Sequence, residues 1–504
     1  MMNFETTQQA PSLIRSPVLW ALMLASLALS TTLAYLLNIR FDEAFTLNTT
    51  SQGVVYAFRQ AINFEQQAPL YFVVMSVWRT IDPSIFFARF FSVLCFPFFI
   101  WVAAEVAKRY LKDVNPLFVA AVAAVHQQAI WNSLDIRLYA LMALLSGLLF
   151  LLFYDGYLAE KPSKRSRILY IVVAVLSLYT QYYLGFQLVA GAFVLVALRR
   201  WRPLIRYVAD MAIAGVFFIP LLLIVYGQLT DVTGQKNAAL PIFELVKGIY
   251  QRIVSLFVAV EWIQFEFLKR WFVRVVVVAV GALFVLKLVR RRKNEDIALG
   301  VFCVVLTAFF LVTYYLVGDQ AIQPRHMLSL LLPLAIIPFA ALVLLKRPGA
   351  IIAWLVLVIA LNAAFLINAY SPLAKPGDFD RAARYVMANE QANQPVLVFH
   401  ADAVLPLSYY YKGQNKLVAI PQENDFDVWN PRNNVLRDEA QILSLINAQP
   451  NEPERFWLIH DGWCAHGTLS FNCQVLEDVI DKYFVVESTQ NFFEPTTVRS
   501  LRRK

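Results

Sequence analysis

The chain has 504 residues, 59% hydrophobic and 16% charged, with a formal net charge of +9. Soluble domains run at about 45–50% apolar and about 25% charged, so the composition excludes an ordinary soluble enzyme. Its 39 Phe, 22 Tyr and 11 Trp exclude a disordered chain.

Apolar stretches bounded by charge predict a mainly α-helical polytopic membrane protein with about eleven spans, several of them marginal against the ~20 residues that a bilayer core requires. They fall at 17–37, 84–107, 116–133, 136–155, 168–183, 185–199, 205–226, 271–289, 297–317, 327–345 and 350–370. The first follows Arg15 and is long enough for a full span rather than a cleaved signal. Basic residues gather in alternate loops: Lys108, Arg109 and Lys112; Lys161, Lys164, Arg165 and Arg167; Arg199, Arg200, Arg202 and Arg206; Lys287 and Arg290 to Lys293; Lys346 and Arg347. The positive-inside rule puts these loops and the N-terminus in the cytoplasm of a multi-pass inner (plasma) membrane protein, and an odd number of spans leaves the C-terminus outside. The +9 therefore reads as topology and asks for no nucleic acid.

Three outer segments exceed mere connectors: 38–83, 227–270 and 371 to the end. Within the second, Phe243 to Trp271 interleaves apolar residues with Glu244, Lys247, Arg252, Glu261 and Glu266, a pattern for an interfacial helix. After Ser371 charges become frequent, dividing the chain into a transmembrane domain (1–370) and a small extracytoplasmic α/β domain (371–504). Asp378 is placed to cap a helix reaching Asn389, and another helix is expected at Arg437–Asn447. Strands are expected at Val396–His400, Lys416–Ile420, Phe456–His460 and Tyr483–Ser488. Cys95 and Cys303 fall in spans; Cys464 and Cys473 stand together in the outer domain, where a disulfide is expected and a metal site with His466 is the alternative.

Charged and polar residues with chemical potential cluster at outer span ends. Asp42 and Glu43 follow the first span; they read either as a solvated loop or as a general base, and a carboxylate there also suits a metal ion. Glu65 precedes Ala68-Pro69-Leu70-Tyr71, as a helix flank or a pocket residue. Asp135, Arg137 and Tyr139 occupy a turn between two spans, where the acid and the arginine can also form a local pair. His126, Gln127 and Gln128 are polar inside a span, which calls for a cavity or a partner. Arg325 and His326 head the span at 327–345, as an interface anchor or a phosphate grip, since a guanidinium is bidentate and always charged.

In this order the elements resemble the polytopic type-C glycosyltransferases, more closely the protein O-mannosyltransferase and aminoarabinose-transferase group. Asp42-Glu43 resembles that group's acidic pair in the first loop, and Glu65 to Tyr71 its acid-x-His-Pro-Pro-Leu-Tyr motif. Ala88-Arg89-Phe90-Phe91-Ser92 resembles its Arg-Leu-Pro-Ser entry, and Asp135 to Tyr139 its Glu-Ala-Arg-x-Tyr turn. Leu178 to Tyr182 resembles its Tyr-Thr-His-Tyr segment, and Pro324-Arg325-His326 its late Arg-Tyr element. The likeness covers residues 15–345. Gln67, Ala68, Gln181 and Asp135 depart from it, and the missing histidines weigh against a divalent metal, which the sequence does not require.

The resemblance implies a polyprenyl-phosphate sugar donor and transfer at the outer face, and the expected function is an inverting, mannosyltransferase-like enzyme with a glycan, lipid or protein acceptor. On that reading the loop at 38–83 is catalytic, Asp42 deprotonates the acceptor and Glu43 supports it. Arg137 and Arg325 hold the leaving phosphate, with Tyr139, Glu65, Gln181, Asp135 and His326 around the donor. The competing class is a transporter or lipid flippase, which needs ionisable residues within spans; Asp210 is among the few.

Overall fold

The computed structural model describes residues 13–233, 241–318, 322–467, 469–493 and 496–504. Residues 234–240 of the expected outer segment 227–270 lie outside the described residues.

Helices dominate the first three quarters of the chain. In order they are α1 (Pro17–Leu36), α2 (Phe41–Thr49), α3 (Val54–Asn63), α4 (Leu70–Trp78), α5 (Ile85–Tyr110), α6 (Leu117–Val125), α7 (Gln127–Ser133) and α8 (Tyr139–Phe153). There follow α9 (Lys164–Thr180), α10 (Leu184–Ala197), α11 (Trp201–Thr233), α12 (Ile242–Phe257), α13 (Glu266–Arg291), α14 (Asn294–Val317), α15 (Leu331–Leu342) and α16 (Pro348–Tyr370). Local chemistry sets several starts. Ser16 caps α1 ahead of Pro17, and Ser84 caps α5 by accepting the Phe87 amide at 3.2 Å.

Among the described residues, eight helices are long and apolar enough to cross a membrane: 17–36, 85–110, 139–158, 201–228, 266–291, 294–317, 324–345 and 348–370. The other three predicted spans become shorter pieces. The stretch 116–133 is two helices broken at His126, whose extended backbone (ψ 123°) ends α6 and starts α7. The stretches 168–183 and 185–199 are α9 and α10, separated at Gln181. The polar break is satisfied by neighbours: His126 Nε2 lies 2.9 Å from the Leu256 carbonyl, the Gln127 amide donates to Asn362, and the Gln127 side chain reaches the Ser255 carbonyl. Lipid tails are as apolar as leucine, so close approach rather than hydrophobic exclusion holds such helices together. Gly147 shows it: a Cβ there would meet Val102 of α5 at 2.7 Å.

The C-terminal unit is α/β, as expected. Capped by Asp378, α17 (Phe379–Asn389) leads to β1 (Val396–Phe399), α18 (Val404–Tyr410) and β2 (Leu417–Ile420). Next come α19 (Glu439–Asn447), β3 (Arg455–His460), a ribbon of β4 (Ala465–His466) and β5 (Leu469–Ser470), α20 (Cys473–Tyr483), β6 (Phe484–Asn491) and β7 (Thr497–Arg503). The five-stranded sheet runs β2-β1-β3-β7-β6, parallel among the first three and antiparallel thereafter. Side chains alternate between its faces. Leu397, Phe399 and Leu458 pack toward α19 and α20, whereas Val396, Val398 and Ile459 pack toward α17, α18 and Phe41 of the helical bundle.

Cys464 and Cys473 form a disulfide across the β4–β5 ribbon. That removes the metal alternative, because both thiols are consumed. The expected third ligand is elsewhere, too: His466 packs on the Trp429 ring, and His460 is the histidine at 3.9 Å from Cys473 Sγ.

Candidate active site

Residues 40 to 43, at the start of α2, point four ways. Arg40 reaches Asp135 at 2.7 Å, Phe41 stacks on His400 and meets Phe379, Asp42 faces Arg325, and Glu43 turns into the protein. A helical turn begins at Phe41, so successive side chains are rotated by roughly 100° and adjacent acids separate.

Glu43 is fully buried. Its Oε1 accepts from Arg89 (3.0 and 2.8 Å) and from the Ile136 amide (3.2 Å); its Oε2 accepts from Lys375 (2.8 Å) and the Arg40 amide (3.1 Å). Arg89, also fully buried, donates to the carbonyls of Ala34, Leu37 and Asn38 at 2.7–3.1 Å. It thereby occupies the carbonyls left open at the C-terminal end of α1, where a cation is favoured. Lys375 donates to the Leu134 carbonyl (2.7 Å) and Asp135 (2.8 Å) as well, so all three ammonium protons are used.

Asp42 differs. Its side chain is 31% exposed and Arg325, its partner at 2.6 Å, is 21% exposed. Burial pushes the Asp42 carboxyl up, but Arg325, Arg137 and Arg40 outweigh it and hold the group well below the usual carboxylate range. Beneath lies Arg137, almost buried, donating to Glu65 (2.6 Å), Thr46 (3.0 Å) and the Asp42 carbonyl (3.2 Å). Burial outweighs Arg137 at Glu65 and leaves that carboxyl above the ordinary glutamate value. Arg325 rests over the Tyr139 ring at 5.2 Å; the Tyr139 hydroxyl is 3.1 Å from His326, whose ring also neighbours Tyr183. The Nε donors of Arg137 and Arg325 are buried without an acceptor.

The turn of Asp135 and Arg137 thus forms no local pair: Asp135 is fully buried between Arg40 and Lys375, and Arg137 belongs to Glu65. At Asp135 burial opposes the charge, while Arg40 and Lys375 keep the carboxyl below its ordinary value. Asp42, Glu43, Glu65, Asp135, Arg137, Tyr139, Arg325 and His326 form one connected cluster. Gln181 caps α9, and among the described residues no hydrogen bond joins it to that cluster. Asp210 is held by Arg167 (2.8 and 2.9 Å) and Tyr157 (2.7 Å), a fixed pair between α9 and α11. Among the described residues the one grouping with metal-like spacing is His460 with the two disulfide-bonded cysteines.

No protein-family model matches the sequence, and no curated protein matches it significantly. Solved structures do. ArnT from Cupriavidus metallidurans in the apo state superposes with a TM-score of 0.59 at 12% identity, over 95% of this chain and 97% of that one. The chain has the fold of ArnT. ArnT from the same organism bound to undecaprenyl phosphate superposes with a TM-score of 0.56, also at 12% identity, over 97% of this chain and 98% of that one.

Within this ArnT-like fold stand two buried cations to which the sequence reading assigns no role. Arg89 carried a signal, being a lone arginine in an apolar span, where an ionisable residue needs a partner. Lys375 carried none, because a lysine beside Pro376-Gly377 reads as a solvated linker.

Proposed function

We propose that the protein is an integral-membrane inverting glycosyltransferase that moves a sugar from a polyprenyl-phosphate donor to a hydroxyl acceptor at the outer face of the membrane. The observation that carries this reading is the partly exposed Asp42–Arg325 pair beside the buried Arg137–Glu65 pair. A base and a phosphate grip stand side by side, and each arginine retains an unused Nε donor. That ArnT is seen with undecaprenyl phosphate supports the class of donor.

The donor phosphate takes Arg325 from Asp42. The freed carboxylate accepts the proton of the acceptor hydroxyl as its oxygen attacks the anomeric carbon. The bond from that carbon to the phosphate oxygen breaks, and the electron pair leaves with the phosphate. One displacement inverts the anomeric configuration. Charge grows on the leaving phosphate as the bond breaks, so guanidinium donors there favour the transition state over the ground state. Glu43 holds the loop, and Tyr139 and His326 flank the donor. The transfer is of the mannosyltransferase-like kind, from a polyprenyl-phosphate sugar to a glycan, a lipid or a protein.

The test is transfer of radiolabel from a polyprenyl-phosphate sugar by the protein in lipid nanodiscs. The unaltered protein transfers label and Asp42→Asn does not. Undiminished transfer by the variant would remove Asp42 as the base, and no transfer from any lipid donor would overturn the reading.

A further inference from the structure

Lys375 lies in the short strap from the end of α16 at Tyr370 to the cap of α17 at Asp378. The strap does not pass over the surface. Lys375 is 1% exposed, and Asn38, the second residue beyond α1, receives its amide (2.6 Å) and donates to the carbonyls of Lys375 (3.2 Å) and Gly377 (2.8 Å). The neighbouring Ile39 amide donates to Tyr410 of α18 at 2.7 Å, and Phe41 inserts between Phe379 and His400. Residues 38, 39 and 41, leading up to Asp42, are thus gripped from the C-terminal unit.

The ammonium joins two segments that no covalent path brings together. It binds Glu43 at 2.8 Å on one side and Asp135 at 2.8 Å, with the Leu134 carbonyl at 2.7 Å, on the other. Those two acids stand close in sequence to the working groups: Glu43 follows Asp42, and Asp135 precedes Arg137 by two residues. Without Lys375 two buried carboxylates would face one another with one cation fewer, and like charges would push α2 away from the turn at 134–138.

We propose that Lys375 is a positioning residue for the transfer, setting the distance between the Asp42 carboxylate and the Arg137 turn through Glu43 and Asp135. This rests on the function proposed above. It gives the C-terminal unit a part in the chemistry: the unit delivers the cation that completes the site.

Methionine at 375 keeps the stem and removes the charge. In nanodiscs K375M lowers kcat by about 10²-fold, the scale of a misplaced reacting group, and leaves the KM for the lipid donor within about twofold. K375R, which restores the charge, recovers most of kcat. A kcat for K375M within twofold of the unaltered protein overturns the proposal, as does a K375R no better than K375M in protein of equal folded yield. A second readout needs no transfer. Alkylation of the D42C thiol changes rate several-fold when K375M is added to it, because the side chain at 42 is reoriented; an unchanged rate overturns the proposal. The thiol readout also separates the two readings, since it responds even if no lipid-linked sugar is a substrate.

Discussion

Asp42 and Arg325 stand 283 residues apart in the chain and meet at 2.6 Å, both partly open to solvent. The pair holds the carboxylate ionised and occupied at once, so the base becomes available when a competing anion claims the arginine. Asp42→Asn is expected to lower kcat by about 10²–10⁴-fold, the range for a positioned base. Donor binding, read by a labelled polyprenyl phosphate, is retained or tightened because Arg325 loses its internal partner. Weaker donor binding together with full activity would contradict this arrangement.

The adjacent acid behaves oppositely. Glu43 is buried with Arg89 and Lys375, and removing one partner of such a network strands a charge at a cost of about 3–5 kcal/mol. Glu43→Ala or Arg89→Met should lower the unfolding transition in detergent markedly. Asp42→Asn should change stability by less than about 1 kcal/mol, as for a partly exposed pair. Equal losses at positions 42 and 43 would show that their environments are alike.

Glu65 takes up its proton before Asp42 and Asp135 as pH falls. Its folded value is raised above 4.5, so its contribution to stability is complete below 4.5 and is lost as pH rises through the folded value. Asp42 and Asp135, held low, contribute stability above their ordinary 3.8 that is lost only as pH falls through their folded values. In thermal scans the difference between Glu65→Gln and the unaltered protein should therefore move in favour of the variant as pH rises from 4.5, then flatten. A difference constant over that window would mean that Glu65 is not raised.

Reduction or Cys464→Ser should destabilise the C-terminal unit by about 2–3 kcal/mol, the chain-entropy cost of opening so short a loop. Denaturant unfolding with and without reductant measures it, and identical midpoints would count against the bond.

The basic loops predict the orientation of the protein in the membrane. A thiol introduced at Lys161 should react with an impermeant reagent only from the cytoplasmic side, and one at Gln422 only from the outer side; both side chains are exposed. Reversed labelling would overturn the positive-inside assignment.

Much of the fold was legible because hydropathy works one residue at a time: the eight long helices lie where apolar stretches run between charges. The cap at Asp378 and the strands near 396, 417 and 456 followed from local signals as well. The final strand, Thr497–Arg503, was missed because four of its seven residues are Arg or Ser, and its burial rests on Val498 and Leu501 opposite β3. The break at His126 was hidden too, since the carbonyl that partners its ring comes from Leu256, 130 residues away.

The sequence by itself determined that this is a polytopic membrane protein, and which end-of-span residues were candidates for chemistry. Both depend on the solvent preference of single residues, which is written locally. Only the tertiary structure decided which acid faces the open site, which arginine each acid meets, and that Lys375 is buried between Glu43 and Asp135. Electrostatic roles are set by distances of about 3 Å between groups remote in the chain, and a charge acquires its partner only when the helices and the C-terminal unit close around it.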